Sequence, residues 1–258
     1  MPVVESYVEG TPCWADLAST DAESAKNFYG DLFGWKFNAN PMGDDMVYYM
    51  ATLDGKNVAG LMQQPAEMAT PAAWTTYLAV KNADVAAEKA VAAGGTLLFP
   101  VDSVPGSGRM ALMRDPGGAQ LGLWQAEGHI GASLVNEPGT VIWHELQVED
   151  VTAVLPFYAA TAGISSETAP AGGLGDYTQL SVGGEVVGGA IHKSLPELAP
   201  QWVVYFKVTD ADEALDHAMK LGATVLAPAF DAPGIGRMSL VADPQGAPFY
   251  LIEPKPEP

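Results

Sequence analysis

The chain of 258 residues carries a single cysteine, Cys13. One cysteine excludes an intramolecular disulfide and a cysteine-based metal site, and Cys13 reads as a small packed side chain rather than a nucleophile. Basic residues are scarce too: 12 lysines and arginines stand against 31 acidic residues, a formal charge of −19. Such a surface repels phosphate backbones and anionic lipids, which argues against nucleic acid and membrane as partners. Apolar runs fall well short of the roughly 20 residues that span a bilayer. The opening MPVVESYVEG has neither a basic nor an apolar leader segment, so a cytoplasmic location is expected. The phosphate-cradling loop is missing as well, because AGGLGDY runs into strand-like residues instead of opening a helix. No Gly-x-Ser-x-Gly nucleophile elbow occurs, and His129, His144, His192 and His217 are too scattered to form a cluster.

What the chain does have is repetition. WADLASTDAESAKNFYGDLFGW, from Trp14, returns from Trp143 as WHELQVEDVTAVLPFYAATAGI. WTTYLAVKNADVAAEKAVAAGG from Trp74 returns from Trp202, and PGSGRMALMRDPGGAQLGLW from Pro105 returns from Pro233. The constant spacing predicts two copies of one unit, residues 1–128 and 129–258. Each copy divides again. A short alternating strand runs into a helix, with Thr20–Glu23 as a candidate capping box and Gly34 as a stop. Short strands split by Asp54-Gly55 or by Asp115-Pro116-Gly117-Gly118 follow. The expected fold class is α+β: four β-α-β-β-β modules at about 11–64, 72–126, 140–193 and 200–254, paired into two cups with helices outside.

A strand ending in Asp, a helix bearing Phe-Tyr and closing on Leu-Phe-Gly, then an Asp-Pro-x-Gly hairpin before the last strand, together resemble the vicinal oxygen chelate superfamily. That superfamily includes glyoxalase I, extradiol dioxygenases and bleomycin-resistance proteins. The two-copy arrangement is similar to actinobacterial glyoxalase-like proteins, some labelled hydroxylases. The resemblance implies that metal enzymes of the group place ligands inward on the first and last strands of each module. At those places this chain has Trp14, Gly60, Thr75 and Gly122 in the first copy, and Trp143, Gly189, Val203 and Tyr250 in the second. None is a plausible ligand for a divalent metal. No metal and no cofactor is therefore expected, nor glyoxalase I or extradiol dioxygenase activity.

With a period of two, Trp14 and Asp16 face one cup, and Trp143 and Glu145 the other. Trp124 and Gln120 share the face of Gly122, and Ile252 shares that of Tyr250. The expected ligand contacts are thus Trp14, Asp16, Gly60, Thr75, Gln120, Gly122, Trp124, Trp143, Glu145 and Tyr250, suiting a hydrophobic, aromatic small molecule. Asp16 and Glu145 double as candidate acid/base groups, so three readings stand side by side: a sequestering or accessory binder, a metal-independent enzyme, and a protein whose cups its own indoles fill. Arg109 and Arg237, in the repeated Gly-Arg-Met, are expected to tie an aspartate. Since Gly122, Trp124 and Gln120 give way to Tyr250, Ile252 and Pro248 in the second copy, the first cup is expected to be the roomier. Monomer and homodimer both remain open.

Overall fold

The computed structural model describes residues 3–42, 46–65, 70–171, 175–193 and 195–256; residues 172–174 of the AGGLGDY stretch lie outside them. Four β-α-β-β-β modules follow one another. The first is β1 (Pro12–Ser19), α1 (Ala22–Phe33), β2 (Lys36–Pro41), β3 (Val47–Leu53) and β4 (Lys56–Gln63). The second is β5 (Ala73–Ala79), α2 (Ala83–Ala92), β6 (Thr96–Val104), β7 (Gly108–Arg114) and β8 (Gln120–Ala126). The third is β9 (Val141–Val148), α3 (Val151–Ala162), β10 (Ser165–Pro170), β11 (Asp176–Val182) and β12 (Glu185–His192). The fourth is β13 (Gln201–Lys207), α4 (Ala211–Lys220), β14 (Thr224–Ala232), β15 (Gly236–Ala242) and β16 (Pro248–Pro254).

Local chemistry sets these boundaries. Each helix opens on an Asx cap whose side chain accepts from the backbone N–H three residues on: Asp21 from Ser24, Asn82 from Val85, Asp150 from Ala153 and Asp210 from Glu213. The capping box expected from Thr20 does not form, because the helix opens one residue later, with Asp21 in extended backbone as its N-cap. Gly34, at φ 74°, and Gly163, at φ 67°, end α1 and α3 in the left-handed conformation. Asp54 and Gly55 are both left-handed and close the β3–β4 hairpin.

In each module the first and last strands run parallel, as Asp16 beside Gly60 and Tyr77 beside Gly122 show. Modules then join in pairs through antiparallel first strands, β1 with β5 and β9 with β13. Two curled eight-stranded walls result, and they meet edge to edge at one residue pair, Gln120 with Gln201. Along the first strands the odd-numbered Ala15 and Leu17 join the helix-side core, while Trp14 and Asp16 look into the cup.

The helix-side cores cross the midline of the chain. One contains α1 and the backs of β1 and β4 together with α4, β13 and β16; the other joins α2 and β8 to α3 and β9. Two buried polar relays fasten this seam. Trp74 Nε1–H donates to the Tyr29 hydroxyl at 3.1 Å, which donates to Asp243 Oδ2 at 3.0 Å. Trp202 Nε1–H donates to the Tyr158 hydroxyl at 3.0 Å, which donates to Asp115 Oδ2 at 2.7 Å. The Asp of each Asp-Pro-x-Gly turn also holds its own hairpin, Asp115 by accepting from Ala119 N and Asp243 from Ala247 N. A motif that reads as a turn is thus half of a bond between the two copies.

Candidate functional site

At the floor of each cup the repeated first strand builds a hydrogen-bonded relay that ends on a carboxyl group. In the first cup Trp14 Nε1–H donates to the Tyr48 hydroxyl at 2.8 Å, and that hydroxyl donates to Asp16 Oδ2 at 3.2 Å. The Tyr77 hydroxyl reaches the same oxygen at 2.9 Å. The second cup repeats the plan: Trp143 Nε1–H donates to the Tyr177 hydroxyl at 3.0 Å, and Tyr205 donates to Glu145 Oε1 at 2.8 Å. Tyr177 also hydrogen-bonds Glu145, and Gln147 Nε2 adds a bond to Oε1 at 2.9 Å.

Both acids are buried. Burial pushes the Asp16 carboxyl up to about 6, against the hydrogen bonds of Tyr77 and Tyr48 that favour its charged form. Glu145 is likewise raised by burial, opposed by Gln147, Tyr205 and Tyr177. The tyrosines are raised as well. Burial, then the neighbouring acid, drives Tyr48, Tyr77, Tyr177 and Tyr205 well above the usual phenol range, so all four remain neutral donors.

The glycines of the strand positions are explained by this relay. A Cβ at Gly60 would collide with the Tyr48 hydroxyl, one at Gly189 with the Tyr177 hydroxyl, and one at Gly122 with the Tyr77 ring. Glycine is there so that a tyrosine can lie across the strand. Thr75 takes a hydrogen bond from Gln120 Nε2 at 3.0 Å, and Tyr250 stacks on Tyr205 with ring centroids 4.2 Å apart. Such a donor set does not fit a divalent metal: each cup offers one carboxyl already engaged by tyrosines, and no group of three histidine, cysteine or acidic side chains converges among the described residues.

The indoles expected to line a roomier first cup are closed in by their neighbours. Trp14 is 5% exposed and Trp124 7% exposed, so neither is an open stacking wall. The His129 ring meets Trp14 edge-on at 4.6 Å and Trp124 at 5.6 Å, and the Trp124 N–H donates to His129 O. Cys13, Ala132 and Tyr7 pack beside them, with the Tyr7 hydroxyl bonded to Ala132 O at 2.7 Å. Space beside a glycine is empty only if no neighbour takes it, and here Tyr77 takes it. Trp143, by contrast, is partly exposed. With it Ile142, Leu195, Leu198, Leu226 and Phe230, all partly buried, pack against the buried Tyr205, Tyr250 and Ile252 of the second cup.

Other candidate groups are engaged elsewhere. Arg109 is paired with Asp84, and Arg237 with Asp212 and Asp231. His144 points away from its strand neighbour Glu145, bonds Thr76 at 2.9 Å across the seam, and is held down to about 3 by burial. His129 is lowered to about 4 for the same reason. A hollow of about 600 Å3 lies outside both cups, between α1, α4 and the linker, lined by Phe33, Gly139, Asp210 and His217 among others. Asp210 there is occupied in capping α4.

Sequence reading missed Tyr48, Tyr77, Tyr177, Tyr205 and Gln147. A signal was present for two of them: Tyr77 and Tyr205 sit at matching places in WTTYLAV and WVVYFKV, two residues beyond Thr75 and Val203 and therefore on the cup face.

Comparison with known proteins agrees with this architecture. Residues 13–123 match the Glyoxalase/Bleomycin resistance protein/Dioxygenase superfamily, and residues 143–252 match a Glyoxalase-like domain. "Putative glyoxylase CFP32" of Mycobacterium tuberculosis is 41% identical over 260 residues, covering 100% of both chains. "Anthracycline biosynthesis protein DnrV" of Streptomyces peucetius is 32% identical, covering 96% of this chain and 94% of its own. Among solved structures, the Mn(II)-bound glyoxalase from Novosphingobium aromaticivorans superposes with a TM-score of 0.64 at 16% identity, over 95% of this chain and 82% of that one. The 2,3-dioxygenase LapB from Pseudomonas sp. KL28 gives 0.62 at 16% identity, over 96% and 93%. No described helix is long and apolar enough to cross a membrane. By its two matched segments and its full-length relatives, the chain belongs to the glyoxalase, bleomycin-resistance and dioxygenase superfamily.

Proposed function

We propose that this protein binds a hydrophobic aromatic small molecule in a cup without the aid of a metal. The observation that carries the reading is the replacement at the cup floor. Where metalloenzymes of the superfamily present ligands, this chain presents Trp14, Gly60, Thr75 and Gly122, or Trp143, Gly189, Val203 and Tyr250. Tyrosine hydroxyls bonded to one carboxyl fill the centre. Apolar walls with a few fixed polar groups suit a flat ligand held by stacking and one or two hydrogen bonds. The relative named for anthracycline biosynthesis makes fused-ring compounds the first to try.

The test is a tryptophan-fluorescence titration of the purified protein with a panel of fused-ring phenols and quinones, run with and without a chelator. Saturable quenching that is indifferent to the chelator is expected. Absence of binding across the panel, or binding that vanishes with the chelator and returns with a divalent ion, overturns the proposal.

A second reading is favoured by one feature. Asp16, lifted to about 6 and touched by two neutral hydroxyls, can give and take a proton near neutral pH. On this reading Asp16 or Glu145 is the acid/base group of a metal-independent enzyme. Turnover of a bound compound that survives the chelator and is lost in Asp16→Asn or Glu145→Gln is its expected signature.

A further inference from the structure

Resting on the binding reading, we propose that the second cup is the one that admits the ligand, and that its ligand class is an uncharged fused-ring phenol stacked on Trp143 with its hydroxyl on Tyr177. The first cup is sealed by the chain itself. The N-terminal segment and the linker are tied to each other and to the start of β1, Val4 N donating to Ser133 O, Ala132 N to Cys13 O and the Tyr7 hydroxyl to Ala132 O, and Tyr7 packs in the cluster of Trp14 and Trp124. Ala132 and Val135 pack into the same cluster as Trp14 and Trp124, and His129 covers the edges of both indoles.

The linker has one course and can cover one cup. Its Ala132 and Val135 pack on the first, and Trp143 of the second remains partly exposed where Trp14 is buried. Leu195, Leu198, Leu226 and Phe230 are apolar, partly buried, and packed with Trp143 against the same buried cluster.

The chemistry of the ligand follows from the groups left within reach. The Tyr177 hydroxyl accepts from Trp143 and hydrogen-bonds Glu145, so its proton is committed and what it has left to offer a ligand is an oxygen lone pair, an acceptor. A phenolic hydroxyl supplies that donor. An anion is disfavoured by Glu145 beneath the site and by the net charge of −19.

The experiment uses the full chain labelled with 5-fluorotryptophan at its six tryptophans, assigned by single Trp→Phe replacements, and 2-naphthol as the probe. Addition of 2-naphthol is expected to shift the Trp143 fluorine resonance and leave those of Trp14 and Trp124 in place. The neutral relaxation agent gadodiamide, with no ligand present, is expected to broaden Trp143 ahead of both. Trp143→Ala is expected to weaken 2-naphthol binding about tenfold, the combined effect of lost stacking and lost burial. A shift at Trp14 or Trp124, equal broadening of all three, or no shift at any tryptophan overturns the proposal. If 2-naphthol moves nothing while other compounds of the wider panel bind, this inference falls and the binding reading stands; if nothing in the panel binds, both fall.

Discussion

The two cups are built from the same strand template and end in different states. Both keep an indole N–H, a tyrosine hydroxyl and a carboxyl in series, with a second tyrosine on the acid. They differ in what lies on top. The first is roofed by the N-terminal segment, the linker and His129, whereas the second leaves its indole in partial contact with solvent. In a duplicated fold the floor of a site and its roof are thus independent: the floor belongs to the repeat, the roof to the segments between repeats.

The largest expected effect sets one indole against the other. Trp14→Ala removes a buried side chain and is expected to cost about 3–5 kcal/mol of stability in a urea melt. Trp143→Ala, at a partly exposed position, is expected to cost clearly less. Equal losses would break the contrast between the cups.

Next comes the acid. Asp16 has a folded value of about 6 against an ordinary 3.8, so the native state holds a proton more tightly than the unfolded chain. Its contribution is favourable below about 4 and is lost as pH rises through 6, a difference on the order of 3 kcal/mol. Asp16→Asn is therefore expected to gain stability over the wild type at pH 8 and to lose that advantage at pH 4, read from denaturant midpoints at the two values. His144 and His129 act in the opposite sense. Their lowered values favour the fold above 6.5 and oppose it as the pH falls, so over the window between about 4 and 6.5 the histidine and aspartate contributions partly cancel, and Asp16→Asn is expected to steepen the loss of stability on acidification.

A smaller effect compares the glycines. Gly60→Ala meets the Tyr48 hydroxyl and the Asp16 Cβ, and Gly189→Ala meets the Tyr177 hydroxyl and ring, so each is expected to cost about 1–3 kcal/mol in a urea melt. A clear difference between the two would show that one floor yields more readily than the other. Finally, Arg109→Gln and Arg237→Gln break solvent-exposed ion pairs of equivalent position and are expected to leave both thermal stability and ligand quenching unchanged within error.

Much of this was legible in the residues. The repeat sets the module order, the period of two puts Trp14 and Asp16 on one face, and Gly34 and Asp54-Gly55 mark their turns because few residues tolerate a left-handed backbone. Tertiary occupancy was not legible. Gly122 reads as space, and only the fold reveals that the Tyr77 ring, one strand over, lies across it. Tyr29 and Tyr158 read as one stripe of a helix, and their hydroxyls turn out to be spent on the other copy. The linker reads as a joint and acts as a roof. In each case the missing information concerns which distant segment comes to lie on a surface, and no local pattern encodes that.

The paired seam relays also fix an order of events. Asp115 and Tyr158 are 43 residues apart, and Tyr29 and Asp243 are 214 apart. On a growing chain the nearer bond can close as soon as α3 has emerged, with α2 already there to receive it. Helix α1 is made first but finds its partner last, once the closing hairpin of the fourth module has left the ribosome. Throughout that interval Phe28, Tyr29 and Phe33 have Trp35 and Trp74 of their own copy beside them but lack Phe206 and Phe249, which makes the earliest helix the last to be fully covered and the point at which synthesis, chaperones and aggregation compete.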